Sequence, residues 1–177
     1  MDLLYQAISD YGEKRILSDI AQGESPGTIN AIFEHCMPNL EKVGGNSPES
    51  HGTLAEGLIH YMLTVALIPS QRKTVVRSIA IDVAVPDTKT LASSPDDVIV
   101  ISFPKTKDPS AIKEQVDKLK KIQPRSENIW VVTDEQVPVE AKIYTLDRDE
   151  FTFSNIINDL ISFTSNTKQS KLKIFRI

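Results

Sequence analysis

Glu56 and Asp82 are the residues of this chain best suited to chemistry, because each is the only acid inside an otherwise apolar segment, TLAEGLIHYMLTVALI and SIAIDVAVP. A carboxylate in an apolar element is costly unless it is paired, hydrogen-bonded or bound to a metal. Two of them in neighbouring elements therefore suggest a site. Carboxylate oxygens are the ligands that hard divalent cations take. Lys105, in SFPKTK, follows the next apolar strand.

These residues need three elements to hold them. The apolar spacing of residues 53–68 predicts a helix, and the β-branched run 75–85 predicts a strand. On that strand Val75, Ile79, Ile81, Val83 and Val85 would share one face, and Ala80, Asp82 and Ala84 the other. VIVISF, apolar on both faces, reads as a central strand. DPSAIKEQVDKLKKI reads as a helix capped by Asp108 with Pro109 in its first turn. NIWVVT and AKIYTL read as strands, FTFSNIINDLISFTS as a helix, and KLKIFRI as a closing strand at a sheet edge.

Before this core, residues 2–22 show helical spacing, and Ser25 with Pro26 would open another helix. KVGGNSPESHGT is the clearest linker. The expected organisation is an N-terminal helical extension over 1–45 and an α/β core over 50–177, with a mixed β-sheet flanked by helices. A parallel strand pair is expected across the helix at 109–122.

The order helix with glutamate, strand with aspartate, strand, helix, strand over residues 53–133 resembles the PD-(D/E)XK nuclease superfamily, the restriction-endonuclease-like fold. The resemblance puts the family's helix glutamate on Glu56 and its strand aspartate on Asp82, both as metal ligands. It implies metal-dependent cleavage of phosphodiester bonds with Mg2+ or Mn2+ if the centre is active. Lys105 would be the catalytic lysine, and Lys105 and Lys107 would contact nucleic-acid phosphates. The third motif departs from the pattern. The family has an acid two residues before the lysine, whereas Lys105 has Phe103 there. Shifting the register pairs Ser102 with Pro104 and supplies no acid. The expectation is a nuclease-like protein in nucleic-acid processing or binding, weakly active or inactive. The alternative is a non-enzymatic subunit or adaptor of a larger complex.

Composition bounds these readings. The 177-residue chain suits one domain, and a net charge of -4 gives no bulk attraction to DNA, RNA or an anionic membrane, so any nucleic-acid contact needs a local basic patch. The lone Cys36 excludes an intrachain disulfide framework or a cysteine-rich zinc module. MDLLYQAISDYGEKR has acids where a signal peptide is basic, and no apolar run reaches the roughly 18 residues of a membrane span, so a soluble, cytoplasmic protein is expected. The possible partners are nucleic acid, another protein or a second copy of the chain.

Each residue also has a plainer reading. Asp82 could pair with Arg77 or Lys105, and Glu56 could occupy an exposed helix position. His60, four residues after Glu56, shares its helix face and could form a metal pair or stand as an ordinary histidine. The lysines of KEQVDKLKKIQPR read first as a solvated helix face, and Trp130 as a core aromatic.

Overall fold

The computed structural model describes residues 2–42 and 44–174, with side chains to residue 167. Four helices lead the chain: α1 (Asp2–Tyr11), α2 (Glu13–Ala21), α3 (Ser25–Lys42) and α4 (Pro48–Val65). Strands β1 (Gln71–Val76) and β2 (Ile79–Val85) follow, then α5 (Thr88–Ser93), β3 (Ile99–Ser102), α6 (Pro109–Leu119), β4 (Ile129–Thr133), β5 (Lys142–Thr145) and α7 (Ile156–Ile174).

The sheet has the order β1-β2-β3-β4-β5. β1, β2 and β3 pair antiparallel, and β3, β4 and β5 pair parallel. The parallel pair across α6 is the one expected, and β3 is central and fully buried. Asp108 caps α6 by accepting the Ser110 N–H at 2.9 Å, with Pro109 at the first position where no N–H is needed.

Two apolar layers sandwich the sheet. On one face, Val83, Val85, Ile99, Ile101, Trp130 and Val132 pack in one cluster with α1, α3, α4 and α7. On the other, Ile81, Val98, Val100, Ile129 and Val131 pack with Ile112, Val116 and Leu119 of α6. The N-terminal helices thus share a continuous core with the sheet: Leu4, Ile16, Ile29 and Phe33 belong to the same cluster as Leu58 and Ile101.

Four sequence expectations need correction. The helix over 2–22 is two helices, because Gly12 takes φ 98 between them. The strand over 75–85 is the end of a hairpin: Arg77 and Ser78, with φ 49 and 64, form a two-residue turn joining β1 to β2. Positive φ at both central residues is the geometry that matches strand twist in such hairpins. KLKIFRI is helical as far as Ile174, as the end of α7, and its last three residues lie outside the described ones. Ser25 is also no cap; it begins α3 and donates its buried hydroxyl to Asn158 Oδ1 at 2.6 Å.

Phe33 on α3 is buried and stacks against Phe151 and Phe153 at 5.1 and 5.9 Å. Phe33→Ala should destabilise the whole protein by about 3–5 kcal/mol. It should do so within a single unfolding transition monitored by circular dichroism in denaturant. A separate early transition would show that α1–α3 fold apart from the sheet.

Candidate functional site

Asp82 stands where the β2–β3 ladder stops. Pairing runs from Val85↔Ile99 to Val83↔Ile101. Beyond it, Asp82 Oδ2 accepts the Phe103 N–H at 2.8 Å and the Ser102 hydroxyl at 3.4 Å. The carboxylate thus replaces a backbone carbonyl as acceptor at the frayed end of two strands. On its other side, the β1 register of Arg72↔Val83 and Thr74↔Ile81 places Lys73 opposite. Lys73 takes φ 45 and is skipped by the ladder, a conformation that costs a side-chain-bearing residue about 1 kcal/mol. Strict alternation along β2 breaks here: Ile81 faces the α6 layer, and Val83 and Val85 face the α4 layer. The expected common face for these odd positions is therefore corrected at Asp82 itself.

Glu56 is buried, only 3% exposed, so the exposed-helix reading is also corrected. Its Oε1 lies 3.0 Å from Arg72 Nη2 and 3.8 Å from Lys73 Nζ. A buried glutamate needs such partners, and β1 brings both across from α4. Burial pushes the Asp82 carboxyl above the usual carboxylate range, the Phe103 amide opposes the rise, and the Glu56 charge adds to it. Ser102 and the Lys105 ammonium also pull it down. Glu56, Asp82 and Lys105 therefore share one electrostatic neighbourhood. His60 sits one turn on and is exposed; partial burial, then the Arg72 charge, hold its imidazole below the usual range, against Glu56.

The third strand supplies neutral groups. Ser102 ends β3 facing α6, and its hydroxyl accepts Gln115 Nε2–H at 2.6 Å. A serine that contacts Asp82, hydrogen-bonded in turn to a glutamine, therefore lies beside it, and neither carries a charge. Sequence reasoning missed Ser102, Gln115, Arg72 and Lys73. The only signal for the last two was a basic pair just ahead of the β-branched run.

Lys107 stands apart from Asp82, 3.5 Å from both Asp134 and Glu135. Asp134 in turn meets His51 Nδ1 at 2.9 Å. α4 comes close to this loop through Gly52, where an added Cβ would sit 3.4 Å from the Pro104 carbonyl oxygen. Other basic residues near α6 are paired on the surface: Lys118 with Glu114 at 2.7 Å, Lys120 with Glu140 at 2.6 Å, and Arg125 with Asp96. Trp130 is a core aromatic, buried against Tyr144 with its Nε1–H donated to the Glu127 carbonyl.

A divalent cation does not fit these residues well. Hard cations take six or more oxygens, several of them carboxylate. Here Glu56 is engaged by two basic side chains, Asp82 by a backbone amide, and their polar neighbours are neutral or cationic. Among the described residues, no group of three His, Cys, Asp or Glu could hold a metal ion. No helix among them is long and apolar enough to cross a membrane.

No protein-family model matches the chain, and no curated protein matches it. Among solved structures it is similar to the restriction endonuclease PspGI in complex with substrate DNA, with a TM-score of 0.66 and 14% identity over 93% of this chain and 92% of that one. It is also similar to metal-depleted Ecl18kI in complex with uncleaved DNA, with a TM-score of 0.48 and 14% identity over 92% of this chain and 61% of that one. The chain thus has the restriction-endonuclease-like fold.

Because the folded-state value of Asp82 is raised, its ionised form disfavours folding once pH passes the ordinary carboxylate range, and costs nothing below it. Both hydrogen bonds to Asp82 land on one oxygen, which asparagine retains. Asp82→Asn should therefore raise Tm at neutral pH, by about 2–4 °C for each kcal/mol regained in a chain of this size. The gain should vanish at about pH 3, below the unfolded carboxylate value. Melting curves at the two pH values check this, and a lower Tm for the variant at neutral pH would contradict it.

Proposed function

We propose that this protein is a nuclease-like nucleic-acid-binding protein whose hydrolytic centre is weak or inactive. The observation that carries the reading is the occupied state of the two acids. Glu56 is held by Arg72 and Lys73, and Asp82 is followed on the next strand by Ser102 rather than by an acid. Hydrolysis by this fold relies on carboxylates free to fix a cation and its nucleophilic water, and losing such positioning costs orders of magnitude in rate. Binding needs less. PspGI, with the same fold, holds substrate DNA, which favours duplex DNA as the first ligand to test here.

Lys105 and Lys107, on the loop between β3 and α6, supply phosphate contacts in this reading. Lys107 would exchange its exposed pair with Glu135, and its pair with the largely buried Asp134, for a phosphate. The exposed Glu135 pair contributes little and is given up cheaply, while Asp134 keeps His51 as a partner through its other oxygen. With a net charge of -4 the interaction is local and strongly salt-dependent.

A second reading, a non-enzymatic subunit that docks a protein partner or a second copy of the chain, is favoured by one observation. β1 lies at the sheet edge with Val75 65% exposed, and such an edge can accept a strand from another chain.

Labelled single-stranded, duplex and branched DNA and RNA distinguish these readings. At low salt, duplex binding measured by fluorescence anisotropy should weaken by about tenfold or more in the Lys105→Glu, Lys107→Glu double variant, and with rising salt. Incubation with magnesium or manganese should give no robust cleavage. Clear turnover abolished by Asp82→Ala would overturn the inactive-centre reading, and absence of binding to every nucleic acid would leave the protein-docking one.

A further inference from the structure

The two carboxylates at the seam between α4 and β2 are outnumbered by cations. Arg72 and Lys73 converge on one Glu56 oxygen, while Lys105 acts on Asp82 from the loop after β3. A divalent cation entering here would add charge of the majority sign, whereas an oxyanion balances the set.

Arg72 supplies a second, independent observation. It holds Glu56 through Nη2, but its Nε–H is buried without an acceptor. An unsatisfied buried donor is costly, more so on a charged group. The same side chain is the one cation lining a largely apolar groove of about 310 Å3 where α1 and α4 meet β1, beside Leu4, Ile8, His60 and Tyr61. The Arg72 side chain keeps 24% of its surface exposed, so part of the guanidinium side chain remains open to an acceptor oxygen. Lys73 adds an exposed donor: its side chain is 69% exposed, and its positive φ takes its backbone out of the ladder.

We infer that Arg72 and Lys73, with Lys105, form an oxyanion site that takes a nucleic-acid phosphodiester directly, without a bridging metal ion. This rests on the nucleic-acid-binding reading and specifies its contact. Arginine matches phosphate oxygens with several donors in a fixed plane, and the two lysines contribute point charges around it. Glu56 stays paired beneath and fixes the guanidinium, so the buried acid acts as a positioning residue for an anion.

Two titrations in EDTA test the site. In the first, inorganic phosphate is added to nitrogen-15-labelled protein, and the Arg72 Nε–H resonance should shift in a saturable way. In the second, a short labelled duplex is bound by wild type and by the Lys73→Ala, Lys105→Ala double variant, whose substitutions are at exposed positions. The variant should bind about tenfold or more weakly, with a salt slope lower by about two. Wild-type affinity should be the same in EDTA and in magnesium. An Arg72 resonance unmoved by phosphate would overturn the site. So would a duplex affinity that needs magnesium and loses that gain in Asp82→Asn, while leaving the nucleic-acid reading intact. A phosphate response without duplex binding at low salt would instead defeat the nucleic-acid reading and leave an anion site.

Discussion

Two carboxylates brought close together in a folded interior cannot both stay ionised unless something nearby neutralises them, and this constraint organises the α4–β1–β2 region. Glu56 is nearly inaccessible and Asp82 half-buried, with Glu56 raising the cost of ionising Asp82. Where carboxylates of this fold hold a cation, the ion can supply the compensation. Here the chain supplies it from its own side chains. Arg72 and Lys73 arrive on β1, Lys105 on the loop after β3, and the Phe103 amide and Ser102 hydroxyl occupy Asp82 Oδ2. The distorted backbone at Lys73 and the early end of the β2–β3 ladder belong to the same arrangement. A site so compensated has a weak electrostatic reason to bind a cation and a stronger one to bind an anion.

Much of the framework was legible in the sequence. The helix bearing Glu56 shows an apolar period over many residues. VIVISF and NIWVVT are too apolar on both faces to be anything but central strands beside a covering helix, and Asp108-Pro109 marks the start of that helix. These signals gave the helix–strand–strand–helix–strand order that the fold contains. The hairpin turn was hidden because Arg77 and Ser78 adopt positive φ without the Asn or Gly that usually announces it. KLKIFRI alternates as a strand would, yet a seven-residue alternation is weak against continuation of a long helix, and α7 runs on to Ile174.

The site was legible only in part, and the divide is physical. A lone acid in an apolar segment stands out, so Glu56 and Asp82 could be singled out, and a lysine after the next strand drew attention to Lys105. Whether an acid is available depends on partners from other elements. The pairing of Glu56 with Arg72 spans sixteen residues and a change from helix to strand. Ser102 and Gln115 are neutral and common in strand ends and helices, so they leave no trace by type or spacing. The absence of an acid before Lys105 was visible, but the hydrogen-bonded Ser102 and Gln115 beside Asp82 were not.

The central claim is that basic side chains, rather than a cation, are the partners of these acids. Calorimetric titration of manganese into wild type and Asp82→Asn addresses it most directly. The account predicts no binding tighter than about the millimolar range of under-liganded hard-cation sites in either protein. Micromolar binding by wild type that disappears in Asp82→Asn would contradict it, because the acids would then be holding a cation in spite of Arg72, Lys73 and Lys105.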